Sequence, residues 1–422
     1  MMLVEIDSRG HSDLQNRVVL FIYHGMGRQG GIQSIVVRQV EIISKYNGKV
    51  RVICDTAKPV AGLPIDTLID IDQTPNEILL KVIAQGFDEN ISLEIIAFSP
   101  EAAPIGYLLQ QEAYRNSTFV DARLCMTILH PRDLMRETEK WHVHVLNKVL
   151  AFAIGPQNLV FMNEQCRATH SAFLARDLSA NPIVPVPIDH RLPRWAGCAD
   201  QKSVRIVLVG RIVNFKAYNF ALPAILAQFS AQGLSVICDI YGYGTEEGRL
   251  KELVRQSGVE DQLRFHGAIP LETFDDLVSG YDLFIGMGTA AVQAAQLGVP
   301  TILAIVDDEY GTHGFIDAAP FGNLGEQDAS VPRHDLKETI ERYIQASPEE
   351  RSSISRRGIT YANRYLADDY VEKLTRTSVP RTGFSRSLAA IYCRFYIWMA
   401  RDNWLRKTVR FAKGRRTSGK AS

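Results

Sequence analysis

The 422-residue sequence lacks the long apolar runs and paired cysteines that mark several large protein classes. No uncharged apolar stretch reaches the roughly 18 residues that a membrane-spanning helix needs. The first 25 residues contain no basic segment followed by an apolar one, so we expect no secretory signal. No two cysteines have the C-x-x-C spacing of zinc or redox sites, which predicts reduced thiols in a cytoplasmic protein; they are Cys54, Cys125, Cys166, Cys198, Cys238 and Cys393.

Net charge is also absent, because 47 basic residues balance 47 acidic ones. The balance hides an asymmetry: residues 380–422 contain eleven basic residues and one acid, which leaves 36 basic and 46 acidic residues in the rest. Because the body is acidic and only the tail is basic, we do not expect the protein to bind nucleic acid. No group of histidine, cysteine and carboxylate residues has metal-ligand spacing, so we expect no metal.

Short apolar runs alternate with helical patterns along most of the chain. The run over residues 18–23 ends in glycines and precedes an amphipathic pattern over 32–45. A second series of five strands begins at Val204, after the proline-rich segment 182–203. This alternation predicts two tandem Rossmann-like, doubly wound parallel-sheet domains. Such domains would hold a ligand in a cleft at the carboxyl ends of their strands.

A glycine-rich stretch follows the first strand. Residues 25–30, GMGRQG, match the G-x-G-x-x-G pattern of dinucleotide-binding domains. The acid that would hold a ribose, Asp55, comes 30 residues after Gly25 rather than about 20. The pattern alone leaves open a nicotinamide-dependent dehydrogenase, a tight turn without a ligand, and a loop that contacts another ligand.

Two cations follow the first strand of the second series. Gly210 makes the turn, and Arg211 and Lys216 lie five residues apart in the loop. Side chains so placed can both reach one diphosphate and stabilise its negative charge as it leaves. The alternative is two solvated basic residues on the surface.

Two further glycine motifs follow later strands of that series. In residues 241–244, YGYG, the glycines let the backbone approach a ligand closely. In residues 286–289, GMGT, a strand leads into a small-residue helix whose free N–H groups would seat a pyrophosphate. Tight packing of that helix on the sheet is compatible with the same pattern.

The order of these motifs resembles that of nucleotide-sugar glycosyltransferases with the GT-B fold, above all glycosyltransferase family 4. The motifs are GGIQ, G-R-x4-K, IYGYGTEEGRL, FHGAIP and GTAAVQAAQLGVPTI, and the resemblance covers residues 18 to about 375. It implies a retaining hexosyltransferase that uses a nucleotide diphosphate sugar as substrate, with no cofactor and no metal. The predicted organisation is an acceptor domain over 1–185, a linker over 186–203, a donor domain over 204–347, closing helices over 348–379 and a tail over 380–422.

The resemblance also implies roles for individual residues. The amides of Gly30 and Gly31 would face the donor phosphates or the acceptor, and Arg211 and Lys216 would neutralise the diphosphate. The implied donor-binding set is Gly30, Gly31, Gly210, Arg211, Lys216, Gly242, Tyr243, Gly244, Gly288, Thr289 and Gln293. The chain departs from the family at Gln293, where a glutamate is usual, and its short loop has no place for a second glutamate. Nucleotide choice and the retention of configuration therefore stay open.

An acid or base can only be nominated. His130, at a strand end before Pro131, is our catalytic candidate beside Arg211 and Lys216, although a histidine in a plain turn fits equally well. Glu164 and His24 are weaker candidates. His266 is expected to pack or to cap a turn.

The tail combines aromatic and basic residues. From 384 to 413, apolar residues recur with a period near 3.6, which predicts a helix roughly 45 Å long. It contains seven aromatic residues, interleaved with arginine and lysine. We interpret it as an interfacial helix on an anionic membrane, with packing on the protein body and nucleic-acid binding as alternatives. A membrane contact would place the enzyme peripherally at the inner face of the plasma membrane, with a glycan or lipid-linked saccharide as acceptor.

Three other functions compete with sugar transfer. A non-catalytic nucleotide-sugar-binding protein would keep the diphosphate site without turnover. A nucleotide-sugar epimerase or hydrolase on the same fold would need an acid–base group in the first domain. A dehydrogenase is the last alternative.

Overall fold

A computed structural model describes residues 17–26, 31–56, 60, 62–84, 91–135, 141–197, 203–366, 369–377 and 386–399. The chain divides into two compact units. The first contains residues 1–185 and 368–422, and the second contains residues 186–367.

The first unit is built on a six-stranded parallel sheet of order β3-β2-β1-β4-β5-β6. Its strands are β1 (Arg17–Ile22), β2 (Lys49–Cys54), β3 (Leu68–Asp70), β4 (Ile91–Ala97), β5 (Phe119–Ile128) and β6 (Leu159–Phe161). Its helices are α1 (Gly31–Lys45), α2 (Pro75–Ile83), α3 (Ala103–Ala113), α4 (Trp141–Ile154), α5 (Glu164–Leu174) and, from the later part of the chain, α12 (Tyr370–Thr377). The run 18–22 is completely buried, as a central strand covered on both faces requires.

The second unit has a seven-stranded sheet of order β13-β12-β11-β10-β7-β8-β9. Its strands are β7 (Ser203–Val209), β8 (Ser235–Tyr241), β9 (Leu263–Gly267), β10 (Leu283–Gly286), β11 (Thr301–Ala304), β12 (Gly311–Phe315) and β13 (His334–Asp335). Its helices are α6 (Tyr218–Ala231), α7 (Glu247–Ser257), α8 (Phe274–Val278), α9 (Thr289–Gln296), α10 (Leu336–Gln345) and α11 (Pro348–Ala362). The five predicted parallel strands are present, so the predicted fold class is confirmed. Two strands of this sheet were not predicted: β12 pairs antiparallel with β11, and β13 pairs antiparallel with β12.

The segment before β7 is bound along the second unit. Arg191 Nε donates to Asp275 Oδ1 at 2.7 Å, and Arg194 Nη1 donates to Asp276 Oδ1 at 2.5 Å. Trp195 Nε1 donates to the Tyr281 carbonyl at 3.0 Å. Residues 191–195 of the predicted linker are therefore fixed to one unit.

A C-terminal helix over residues 386–399 packs on the first unit. Ala389, Cys393 and Tyr396 are buried. The Tyr396 hydroxyl donates to Asn147 Oδ1 at 2.6 Å, and the Tyr392 hydroxyl donates to the α4 carbonyl of Leu146 at 2.6 Å. These contacts agree with one of the alternatives considered for the tail, a helix packed on the protein body. The remainder of the predicted helix, residues 384–385 and 400–413, lies outside the described residues.

Cysteines, metal ligands and spanning helices can be assessed over the described part of the chain. Five cysteines there are free and buried, namely Cys54, Cys125, Cys166, Cys238 and Cys393, while Cys198 lies outside it. Over the same residues, no group of three or more histidine, cysteine and carboxylate side chains could hold a metal ion. None of the described helices has the length and apolar character needed to cross a membrane.

Candidate donor site

The loops that follow β7 and β8 are packed backbone to backbone at the carboxyl edge of the second sheet. A Cβ built on Gly242 would stand 1.8 Å from the Gly210 carbonyl oxygen, and one on Gly244 would stand 1.9 Å from that of Ile212. The Ile212 amide donates to the Tyr243 carbonyl at 3.1 Å. Only glycine fits at positions 242 and 244, so packing between the loops is sufficient to explain both glycines. Tyr243 is 61% exposed beside them.

Lys216 and Arg211 form an uncompensated cationic pair in the β7 loop. Lys216 is half-buried and Arg211 is exposed. Burial lowers the pKa of the Lys216 ammonium to about 8, and the nearby charge of Arg211 acts in the same direction. Neither side chain forms an ion pair with any described carboxylate. A desolvated ammonium with no ion pair to a described carboxylate, next to a guanidinium, is suited to bind an anion.

The start of α9 provides the second part of the predicted phosphate site. Gly288 has a φ of 78° and precedes the helix without any side-chain cap. Its amide donates to the Leu324 carbonyl at 2.7 Å, so this N–H group is already engaged by the protein. Thr289 and, one turn later, Gln293 are half-buried on α9. The positive end of the helix dipole at Thr289 favours an anion there.

Two further loops meet this edge of the sheet. The Asp307 amide, after β11, donates to the Phe215 carbonyl in the β7 loop at 2.9 Å. The Val306 amide donates to the Gly325 carbonyl at 2.8 Å. Residues 322–326 therefore belong to the loops around α9, although no sequence motif pointed to them.

The candidates in the first unit are less complete. Gly30 lies outside the described residues, whereas Gly31 begins α1 with nothing within 4 Å of a Cβ built on it. His130 lies in the turn after β5, where its Nδ1 accepts the Arg132 amide at 3.0 Å. A neutral imidazole in this arrangement has its proton on Nε2. The catalytic role of His130 stays a prediction.

The weaker acid–base candidates have other surroundings. Glu164 begins α5 and pairs with Arg167 at 2.5 Å, and His24 lies in the exposed turn after β1. His266 Nε2 lies 2.6 Å from Asp239 Oδ1, and its ring stacks on Tyr241 with centroids 4.5 Å apart. In these contacts His266 packs against Tyr241, as the sequence analysis expected. Its buried partner Asp239 was not predicted, because strand pairing rather than sequence proximity joins the two residues.

Part of the second unit is similar to a known protein family. Residues 194–360 match the family described as glycosyl transferases group 1. This range contains the cationic pair, the glycine loops and α9. The predicted resemblance to GT-B glycosyltransferases is therefore confirmed, whereas membership of family 4 in particular stays a prediction.

One curated relative and several solved structures are also similar to this chain. A 130-residue segment is 29% identical to the GtfA subunit of a UDP-N-acetylglucosamine–peptide N-acetylglucosaminyltransferase from Streptococcus gordonii. It covers 29% of this chain and about a quarter, 24%, of that protein. Two solved structures share the fold at low identity. One is pneumococcal O-GlcNAc transferase GtfA in complex with UDP and GlcNAc, with a TM-score of 0.57 at 14% identity. The match covers 86% of this chain and 98% of the GtfA chain. The other is HepE from Anabaena in complex with UDP and glucose, with a TM-score of 0.57 at 15% identity. The match covers 85% of this chain and 97% of the HepE chain.

Proposed function

We propose that the protein is a glycosyltransferase that moves a hexosyl group from a nucleotide diphosphate sugar to a saccharide acceptor. The observation that supports it best is the Arg211–Lys216 pair, which forms no ion pair with a described carboxylate and follows β7, the neighbour of the strand β10 that leads into α9. A glycosyl transfer leaves negative charge on the departing diphosphate. Two cations and a helix N-terminus stabilise that charge without a divalent metal, so we propose metal-independent transfer.

Each group has a defined task in this proposal. Lys216, being partly desolvated, would gain more from a phosphate oxygen than a fully solvated lysine does. Arg211 would contact the same diphosphate through its planar guanidinium. Thr289 would contribute its main-chain amide and hydroxyl at the α9 terminus. His130 remains the proposed acid–base residue in the first unit.

Thermal stabilisation by a panel of nucleoside diphosphates, their hexose conjugates and NAD(P) tests the donor site. At 100 times its dissociation constant, a ligand specific for the folded state adds about 2.7 kcal/mol. We expect one nucleoside diphosphate to stabilise the wild type but not Arg211→Ala/Lys216→Ala. The control variant is Arg264→Ala, an exposed cation on β9 of the same unit. Stabilisation by no ligand would overturn the proposal. Stabilisation by NAD(P) alone would also overturn it and would favour the dehydrogenase alternative.

Activity distinguishes transfer from its rivals. A transferase releases nucleoside diphosphate only when an acceptor saccharide is present, and the product anomer seen by NMR tests the proposed retention of configuration. Binding without release supports the non-catalytic alternative, whereas release without acceptor indicates a hydrolase. A changed donor sugar without release indicates an epimerase.

We further propose that the acceptor is lipid-linked and that the C-terminal helix contacts an anionic membrane. The face of helix 386–399 opposite the packed one is apolar and open: Leu388 is 58% exposed, Ile391 61%, Phe395 43% and Trp398 57%. Their spacing of 3, 4 and 3 residues forms one stripe on the helix. The sequence continues from this helix into 401–420, with eight basic residues and one acid. An apolar stripe next to basic residues suits the headgroup region of an anionic bilayer at the cytoplasmic face.

Co-sedimentation with vesicles tests the membrane contact. We expect binding to vesicles of phosphatidylcholine and phosphatidylglycerol, little binding to phosphatidylcholine alone, and several-fold weaker binding of Phe395→Ala/Trp398→Ala. Ile65→Ala is the matched control, because Ile65 is 87% exposed in the same unit but away from this helix in sequence. Equal sedimentation of all three proteins, or dimerisation through the stripe without vesicle binding, would contradict the contact.

A further inference from the structure

Helix α4 presents a second apolar stripe on the surface of the first unit. Trp141 is 75% exposed, and Val145 and Val149 are exposed as well. Because these three residues are spaced four apart, they lie along one face of the helix. The opposite face is buried and carries Asn147, Leu150, Ala151 and Ile154. The stripe of α4 therefore faces away from the core of the first unit.

The neighbours of α4 leave this stripe open. His144 and Lys148 lie against the Phe173 ring of α5, with 6.4 Å between the two ring centroids and 5.7 Å from the Lys148 Nζ to the Phe173 centroid. A second neighbour is the C-terminal helix, whose tyrosine hydroxyls bond the Leu146 carbonyl and the Asn147 side chain. That helix has its own apolar stripe opposite the face that packs on α4. The two stripes are therefore parts of one outer surface of the first unit.

The charged side chains of the two helices all have one sign. The α4 sequence, WHVHVLNKVLAFAI, contains Lys148 and two histidines but no carboxylate. Residues 386–399, RSLAAIYCRFYIWM, contain Arg386 and Arg394 and again no carboxylate. A two-fold contact with a second copy of the chain would place these cations against one another, because such a contact pairs a surface with itself. An anionic bilayer instead offers an apolar interior together with the opposite charge.

Each stripe also contains a tryptophan. Trp141 lies in the first turn of α4, and Trp398 lies in the last turn of the C-terminal helix. Tryptophan is enriched where a membrane meets water, because its ring is largely apolar and its N–H group is polar. The aromatic content of both stripes thus suits the headgroup region of a bilayer.

We propose that α4 makes a second membrane contact beside the C-terminal helix, so that the first unit lies on an anionic bilayer through both stripes. This inference rests on the proposed function, because it extends the membrane contact of the C-terminal helix to another element. Contact along two helices fixes the orientation of the first unit on the bilayer, whereas contact along one helix leaves the unit free to rotate about the axis of that helix.

Fluorescence quenching by brominated lipids tests the contact at Trp141. The chain has four tryptophans, so the proteins to compare are one that keeps only Trp141 and one that keeps only Trp195, with phenylalanine at the other three positions. Trp195 is the control, because it lies in the second unit and its Nε1 donates to the Tyr281 carbonyl. On vesicles of phosphatidylcholine and phosphatidylglycerol, bromine on the acyl chains should quench Trp141 and leave Trp195 unchanged.

Co-sedimentation with the same vesicles provides an independent measurement. Trp141→Ala/Val145→Ala should bind several-fold more weakly than the wild type and keep its melting temperature, because both side chains are exposed. Leu192→Ala is the control and should match the wild type, since Leu192 is 68% exposed in the second unit.

Vesicle binding without quenching of Trp141, or with undiminished binding of Trp141→Ala/Val145→Ala, would overturn the proposal and leave the C-terminal helix as the membrane contact. Dimerisation that this variant abolishes, without vesicle binding, would assign the surface to a second copy of the chain. Failure of the membrane contact in the proposed function looks different, because the wild type itself would then not sediment with the vesicles.

Discussion

Lys216 Nζ lies directly over Gly210, so that a Cβ built on Gly210 would stand 2.5 Å from this nitrogen. The glycine that ends β7 therefore makes room for the ammonium that follows it in the same loop. Gly210 also has a φ of 147°, which other residues rarely adopt. One position thus controls both the turn and the place of the cation.

Gly210→Ala should displace the Lys216 ammonium and weaken nucleoside diphosphate binding. Hydrogen bonds to charged groups contribute about 1.5–3 kcal/mol, so we expect a roughly tenfold to hundredfold increase in Kd. Gly233→Ala is the control, because Gly233 has a φ of 75° but nothing within 4 Å of its Cβ position. Equal Kd values for the two variants would show that only backbone strain matters.

Affinity for a nucleoside diphosphate should fall as pH rises above 8. Burial, with Arg211, lowers the pKa of Lys216 to about 8. Above that pH the free protein increasingly holds a neutral amine, which must take up a proton before it can pair with phosphate. We expect up to a tenfold loss per pH unit between 8 and 9.5, and a flatter profile in Lys216→Arg, whose charge persists. Binding titrations of the wild type and Lys216→Arg across this pH range test the prediction. Identical slopes of affinity against pH in the two proteins would contradict a role for the Lys216 ammonium.

Lys216→Met should stabilise the ligand-free protein at pH 7. With the pKa lowered to about 8 in the folded state, the unfolded chain binds more protons between pH 8 and about 10.4. Stability from this group therefore rises with pH through that window and is lowest below it. Removing the charge should add about 1–3 kcal/mol at pH 7 and progressively less toward pH 10. Chemical denaturation at both pH values measures this, and a constant difference would argue against a desolvated ammonium.

The alternating apolar runs predicted the strands that lie in the two cores, because burial on both faces leaves a direct mark on composition. β12 has no such mark: its sequence, GTHGF, contains two glycines, and it forms strand only by pairing with β11. Lys216 was identified from its spacing to Arg211, but its desolvation depends on how the loop packs. The loop over residues 322–326 could not be found from local sequence, because its contacts with Gly288 and His313 depend on tertiary structure.

Glu94→Gln should stabilise the first unit at pH 8 but not at pH 4.5. Glu94 is 2% exposed on β4, and burial raises its pKa to about 7 despite the opposing charges of Arg123 and Arg17. Between pH 4.5 and 7 the folded state holds more protons than the unfolded chain, so stability from this group falls as pH rises. The neutral glutamine does not lose this stability as pH rises. At about 1.4 kcal/mol per pKa unit, the free energy of unfolding at pH 8 should increase by up to about 3 kcal/mol.

Denaturation curves at the two pH values check the Glu94 prediction. Glu112→Gln is the matched surface variant, since the Glu112 carboxylate at the end of α3 forms a local pair with Arg115 at 3.2 Å. A Glu94→Gln gain that does not change with pH would show that the residue is ionised on both sides of neutrality.

Tyr396→Phe should loosen the C-terminal helix without unfolding the first unit. The Tyr396 hydroxyl is buried and donates to Asn147 Oδ1, whose amide nitrogen donates in turn to the Leu134 carbonyl at 3.0 Å. Removing the hydroxyl leaves a buried acceptor unpaired, which costs about 1–3 kcal/mol. Hydrogen exchange should therefore accelerate over residues 386–399 while β5 stays protected. Tyr392→Phe, at a half-buried position, should have a smaller effect; if exchange instead rises equally in β5, the helix and the sheet unfold as one unit.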